Sequence, residues 1–75
     1  MNNAKEQKTL KSLGKRIAEI RKSKGVTQQQ LAERINTSVV TIAYIETGKR
    51  SPRVWTLNKI ADSLKVTISD LFKGV

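Results

Sequence analysis

The stretch that decides the fold is TQQQLAERINTSVVTIAYIETGKRSP, residues 27–52. Its apolar residues recur every three or four positions in two short runs, which predicts two amphipathic helices. Thr27 with Gln30 forms a capping-box pattern at the start of the first run, and Ser38 begins the second. Asn36 lies between them, where a tight turn needs a left-handed backbone, and asparagine adopts that conformation more readily than most residues.

Two further features make this helix pair more specific than an ordinary helical hairpin. Ala32 is small at the point where the two helices must approach closely. Ile42 and Ile45 then fold the second helix back over the first, and Gly48 ends it. We therefore predict a helix-turn-helix at about residues 27–47.

The charge of the chain indicates what such a helix pair contacts. Lysine and arginine number 15 against six acidic residues, a net charge of +9. A helix-turn-helix lays its second helix in the major groove of DNA, and a strongly basic chain attracts nucleic acid. Lys49, Arg50 and Arg53 follow that helix, where the chain should run beside phosphates. Double-stranded DNA is therefore the predicted partner.

Composition excludes most other classes of function. The 75 residues suffice for one small domain. Cysteine and histidine are absent, which removes disulfides, thiol nucleophiles, zinc-finger ligands and imidazole chemistry. Because a glycine-rich phosphate loop and a close carboxylate pair are also missing, we predict no enzyme activity, metal, cofactor or small-molecule substrate.

The flanking segments predict a compact all-α fold of five helices. Residues 1–8 carry no apolar periodicity, so we expect a flexible segment there and the domain at residues 9–75. The first helix is expected to begin at Thr9, its N-cap, and to end at Gly25. Its apolar stripe is Leu10, Leu13, Ile17 and Ile20.

The last two helices follow the basic loop. Pro52 fits the first turn of a fourth helix, and Thr67 with Asp70 predicts a capping box that opens a short fifth one. The fourth stripe is Val54, Leu57, Ile60, Ala61 and Leu64; the fifth helix carries Ile68, Leu71 and Phe72.

Nothing in the sequence indicates a membrane. A run of about twenty apolar residues is missing, and MNNAKEQK lacks the apolar centre of a secretory signal. We therefore expect a cytoplasmic protein.

The segments GKRIAEIRKSKGVTQQQLAERINTS, IAYIETGKRSP and TLNKIADSLKVTISDLF together resemble the Cro/CI-type (XRE-like) helix-turn-helix family of phage and bacterial repressors. The resemblance covers about residues 10–73. It implies a lambda-repressor-like five-helix fold, binding of operator DNA as a symmetric homodimer, and transcriptional control without catalysis. It also implies a nucleoid-associated protein of a prokaryote or phage.

The same resemblance implies roles for individual residues. Gln28 matches a glutamine that bonds a DNA phosphate and braces the recognition helix, and Arg21 and Glu46 match a largely buried ion pair. The positions that meet base edges are Ser38, Val39, Val40 and Tyr44. Positions of phosphate contact are Gln28, Thr27, Thr37, Thr41, Thr47, Lys49, Arg50 and Arg53. The family's dimer surface corresponds to Val66, Ile68, Leu71 and Phe72.

Several positions depart from the family pattern. Lys65 stands where the fourth helix usually ends in glycine, and Val39 and Val40 replace polar readers such as glutamine. Valine can pack on a thymine methyl but cannot make bidentate hydrogen bonds. One of the two valines could instead turn inward and complete the core, and Tyr44 could be a packing residue. We therefore expect phosphate positioning and DNA deformability to supply much of the selectivity.

Two alternatives stay open at this stage. Trp55 either packs against the first helix or contacts a partner subunit or the sugar-phosphate backbone. The leading function is a regulator that binds palindromic operator DNA, as a phage repressor, restriction–modification controller, antitoxin or plasmid regulator. The other is a helical protein-interaction adaptor whose basic surface meets an acidic partner.

Overall fold

The computed structural model describes residues 4–75, which form five α-helices and no strand. The helices are α1 (Ala4–Ser23), α2 (Gln28–Arg34), α3 (Val39–Glu46), α4 (Val54–Leu64) and α5 (Ile68–Leu71). The predicted all-α, five-helix fold is confirmed. No helix within the described range has the length and apolar character needed to cross a bilayer.

A single core draws on all five helices and centres on Ile17, Leu31, Ile42, Ile60 and Leu71, each of which is fully buried. The helical periodicity of the sequence predicted these inner faces. The prediction that Val54 belongs to the inward-facing stripe of α4 was wrong, because this residue is exposed. At 100° per residue it lies about 70° from the mean direction of the four residues that do face inward.

The start of α1 also differs from the prediction. The helix begins at Ala4, and the hydroxyl of Thr9 donates to the Lys5 carbonyl (3.0 Å) within the helix, so Thr9 is not its N-cap. Helix continues through residues 4–8 because alanine, lysine, glutamate and glutamine are strong helix formers that need no core contact to extend it. The predicted flexibility of that segment stays a prediction, and residues 1–3 lie outside the described residues.

Helix α4 has unusual ends. Pro52 lies before the N-cap rather than in the first turn, and the N-cap is Arg53, which makes no side-chain cap bond. At the other end, Lys65 takes the left-handed conformation (φ 57°, ψ 44°) that glycine usually supplies. Arg16 then ties α5 to α1, since its Nε donates to the Asp70 carbonyl at 2.9 Å.

Candidate nucleic-acid interface

Helix α2 is anchored at its start by the predicted capping box. Thr27 Oγ1 accepts from the Gln30 amide (3.0 Å), and Gln30 Oε1 accepts from the Thr27 amide (2.9 Å). Both amides would otherwise lack a partner at the helix N-terminus. Ala32, on the inner side of α2, is buried, so its small side chain permits close packing.

The turn between α2 and α3 has the geometry expected from Asn36. This residue has a φ of +57°, and the next amide, of Thr37, donates to the Ala32 carbonyl at 2.9 Å. Ser38 then caps α3, because its Oγ accepts from the Thr41 amide at 3.1 Å. Together these local bonds fix the direction in which α3 leaves the turn.

A network at the far end of α3 holds three segments together. Glu46 Oε2 accepts from Arg21 Nε (2.6 Å), and Glu46 Oε1 accepts from Arg21 Nη2 (3.0 Å) and from Gln28 Nε2 (2.9 Å). The Arg21 and Glu46 side chains are only 7% and 5% exposed. Arg21 Nη1 also donates to the Val26 carbonyl (2.7 Å). The ion pair implied by the resemblance is thus present, and Gln28 braces α3 through Glu46.

Gly14 is a structural determinant that sequence reasoning missed. A Cβ at this position would overlap the Ile45 carbonyl oxygen and lie 2.6 Å from that of Glu46. Helix α1 therefore crosses the last turn of α3 at backbone contact distance. The available signal was a glycine inside a helical pattern, which lowers helix stability and is usually kept for packing.

The outward face of α3 is apolar. Val39, Val40 and Tyr44 are 42%, 54% and 41% exposed, whereas Ile42 and Ile45 are buried. The alternative in which either valine completes the core is therefore wrong. Tyr44 likewise faces outward, as the 100° helical spacing predicted.

The basic loop after α3 folds back onto this face. Gly48 takes a left-handed φ of +76°, and the amides of Lys49 and Arg50 both donate to the Tyr44 carbonyl (2.9 and 3.2 Å). The two cations then lie 5.9 and 5.6 Å from the Tyr44 ring centroid, within reach of a cation–π interaction. Arg50 Nη1 also contacts Thr41 Oγ1 at 3.3 Å. The positive charge is thus held along the rim of the apolar face.

The other predicted phosphate contacts differ in how free their donors are. Arg53 is exposed, with no side-chain cap bond. Thr47 Oγ1 donates to the Ala43 carbonyl (2.8 Å), so its only hydroxyl proton is engaged inside the protein. The Thr27 hydroxyl accepts the capping bond of α2, and the Thr41 hydroxyl accepts a bond from Arg50. Thr37 is partly exposed. Charge for binding phosphate therefore comes mainly from the loop cations.

The four residues assigned to a dimer surface do not form one exposed patch. Leu71 is 0% exposed, so its assignment is wrong: its side chain completes the core beneath α5 and cannot contact a second subunit. Val66 and Ile68 are partly buried against the same core, and Phe72 is exposed. Any association through this end rests on Phe72 with the outer edges of the other two.

Trp55 does not pack against α1. Its side chain is 67% exposed and points about 170° away from the inward face of α4. The Lys59 ammonium, one turn later, lies 6.0 Å from its ring centroid. The packing alternative is therefore wrong, and Trp55 with Val54 forms an exposed apolar pair at the start of α4.

Comparison with known proteins decides the family. A profile described as helix-turn-helix matches residues 17–71. The chain belongs to this family. It is therefore a DNA-binding transcriptional regulator of the Cro/CI (XRE) type, and the relatives named below are regulators, which is a non-enzymatic role.

Individual relatives agree with this assignment. An uncharacterized HTH-type transcriptional regulator of Archaeoglobus fulgidus is 39% identical over 57 residues, which are 76% of this chain and 81% of that one. The immunity repressor protein of Bacillus phage phi105 is 40% identical over 58 residues, 77% of this chain but 40% of the repressor.

Solved structures show the same fold. The restriction–modification controller protein C.AhdI from Aeromonas hydrophila superposes with a TM-score of 0.82 at 28% identity, covering 84% of this chain and 96% of that one. The clp gene regulator ClgR from Corynebacterium glutamicum gives a TM-score of 0.84 at 25% identity, covering 87% and 69% of the two chains.

Proposed function

We propose that this regulator binds palindromic operator DNA as a homodimer, with α3 of each subunit in the major groove. The observation that carries the proposal is the exposed face of α3 bordered by Lys49 and Arg50. Such a face fits a groove whose floor carries base edges and whose walls carry phosphates. The names of the relatives, a phage immunity repressor and a restriction–modification controller among them, support the same role.

Each side of the helix has a distinct role in this proposal. Ser38, Val39, Val40 and Tyr44 meet base edges. Phosphates are contacted by Lys49, Arg50 and Arg53 after α3 and by Gln28 before it, with the hydroxyls of Thr27, Thr37, Thr41 and Thr47 nearby. Gln28 can serve both as brace and as phosphate donor, because only one of its two amide protons is needed for Glu46.

The homodimer is supported by the exposed apolar groups at the end of the chain. Phe72 is 43% exposed and follows α5 directly, and Val66 and Ile68 are only partly buried against the core. Helix-turn-helix dimers bind half-sites about one helical turn apart, so we expect two copies joined there to present their α3 helices at that spacing. Phe72→Ala should weaken dimerisation and operator affinity while leaving the monomer folded.

The test is selection of bound fragments from random duplex DNA, followed by sedimentation of the complex. We expect an inverted repeat bound by two subunits. A selected site without symmetry, or bound by one subunit, would contradict the homodimer. Failure to enrich any duplex at low ionic strength would contradict DNA binding altogether and favour an adaptor that meets an acidic protein.

A further inference from the structure

We infer that the direct base readout of this regulator, as distinct from any contribution of DNA deformability, is mainly recognition of the 5-methyl groups of pyrimidines in the major groove. The chemical feature recognised is the methyl group of thymine, which 5-methylcytosine presents at the same place on a G·C pair. This inference rests on the proposed DNA binding, and it adds which groups of the DNA carry the sequence information.

The first argument is the chemistry of the exposed side of α3. Its three large exposed side chains are Val39, Val40 and Tyr44, two of them purely aliphatic. Residues 38–47 contain no Arg, Lys, Asn or Gln, the side chains that pair bidentately with guanine or adenine. The one long charged group in the segment, Glu46, is buried in the ion pair with Arg21. Of the features on the groove floor, an aliphatic group is complementary to the thymine methyl alone.

The second argument is that the short polar groups of this helix already have partners. Ser38 Oγ accepts from the Thr41 amide (3.1 Å) and lies 2.9 Å from Thr41 Oγ1. One of the two hydroxyl protons must lie in that contact. Thr41 Oγ1 is also within 3.3 Å of Arg50 Nη1, and Thr47 donates to a carbonyl of its own helix. For bases, this helix is left with one hydroxyl proton of the Ser38–Thr41 pair and with the Tyr44 hydroxyl.

The third argument concerns Tyr44, whose ring is held by the loop. Lys49 and Arg50 lie over the ring, and Arg50 is also joined to Thr41. The cations are thereby held beside Tyr44 and Thr41, where they can reach phosphates. Val39 and Val40 are then the aliphatic side chains that α3 exposes to the groove.

The size of the effect follows from burial of one methyl group. Removing a buried methyl should weaken binding about fourfold, and removing it from both half-sites about 15-fold. A hydrogen-bonding reader would be insensitive to this change, because uracil keeps every donor and acceptor of thymine. The two mechanisms are therefore separable with the wild-type protein.

The experiment uses the duplex obtained by selection, resynthesised with deoxyuridine in place of thymidine at one pair of symmetric positions at a time. We expect at least one pair at which affinity falls about 15-fold. At that pair, C·G in place of T·A should also weaken binding, and 5-methylcytosine·G should restore part of the loss. Uniform indifference to deoxyuridine would overturn the inference while leaving DNA binding intact. If no duplex is enriched, it is the proposed function that fails.

Variants then locate the methyl contact. In Val39→Ala or Val40→Ala, whichever residue touches the methyl, the deoxyuridine penalty should shrink from about 15-fold towards onefold. The matched control is Val54→Ala, which makes the same change at an exposed valine of α4 and should leave the penalty unchanged. Since all three side chains are exposed, the variants should fold. A penalty that survives in full in both α3 variants would contradict the assignment to these valines.

Discussion

The network around Glu46 gives the sharpest prediction about stability. Glu46→Gln keeps the shape of the side chain but removes its charge. Arg21 then faces an amide whose NH₂ group cannot accept the bond now made by one carboxylate oxygen. Breaking one partner of a buried ion pair leaves an uncompensated charge and costs about 3–5 kcal/mol.

That cost is large for a domain of this size. At about 0.05–0.15 kcal/mol per residue, the whole free energy of unfolding is about 4–11 kcal/mol. With a urea m value of about 1 kcal/mol/M, the unfolding midpoint should fall by about 3 M or more. The oxygen that glutamine keeps can still accept from Gln28, so the loss falls on the bond from Arg21.

Far-UV circular dichroism during urea unfolding is the appropriate assay. Tryptophan fluorescence is a poor probe here, because the ring of Trp55 is already exposed in the folded state. Glu33→Gln is the matched control: Glu33 is exposed on α2, and its change should stay within about 0.5 kcal/mol.

A double variant separates the loss of the pair from the burial of a lone charge. Arg21→Met with Glu46→Leu removes both charges and should be more stable than either single variant. The reasoning would be refuted by a Glu46→Gln protein within about 1 kcal/mol of wild type. It would also be refuted if the destabilisation of the double variant equalled the sum of the losses in Arg21→Met and Glu46→Leu alone.

Three further changes test the backbone and the caps. Gly14→Ala should lower the free energy of unfolding by about 2 kcal/mol or more, because the added Cβ meets the backbone of α3 and this outweighs the better helix propensity of alanine. Thermal unfolding measures the change, and Lys15→Ala, at the exposed neighbouring position, should stay near wild type. Lys65→Gly should raise the free energy of unfolding in urea by about 1 kcal/mol, because glycine adopts the left-handed backbone without the strain that lysine has there. A lower free energy of unfolding would contradict this explanation. Hydrogen bonds from the Thr67 backbone and hydroxyl lower the pKa of Asp70. Its charge therefore stabilises the fold above the ordinary carboxyl pKa, and this contribution disappears as the pH falls through the lowered pKa. The difference in Tm between wild type and Asp70→Asn should accordingly shrink in acid, whereas a constant difference would rule the effect out.

The parts of the fold that were predictable from sequence are those fixed by local chemistry. The capping boxes at Thr27 and Thr67 were found because each needs only a hydroxyl and a carbonyl or carboxylate oxygen three residues apart. Asn36 could be placed because few side chains tolerate a left-handed backbone. The inner faces followed from helical periodicity, which tertiary contacts rarely overrule in a small bundle.

The errors arose where tertiary packing decides. Nothing local distinguishes Leu71, which is buried, from Phe72, which is exposed, because both are apolar and adjacent. The close approach at Gly14 depends on the crossing of α1 and α3, which the sequence of neither helix defines. Lys65 adopts the glycine conformation because the chain must turn back to place α5 against α1.

The candidate site was predictable in outline but not in its internal bonding. Family resemblance implied which positions of α3 face DNA, and the exposure of Val39, Val40 and Tyr44 agrees. The hydrogen bonds of Thr41 and Thr47 were not predictable, since they depend on rotamers and on the path of the basic loop. These internal bonds shift the expected phosphate contacts from hydroxyls to cations.

The dependence of operator affinity on salt tests the central claim most directly. If each subunit of the dimer contacts four or five phosphates, log K should fall with log salt at a slope of about −7 to −9, from about 0.9 per phosphate. Arg53→Gln should reduce that slope by about 2 in the dimer, and Lys8→Gln, distant in sequence from the recognition helix, should not change it. A slope near zero, or no complex at low ionic strength, would contradict the claim that the face bordered by Lys49 and Arg50 binds duplex DNA.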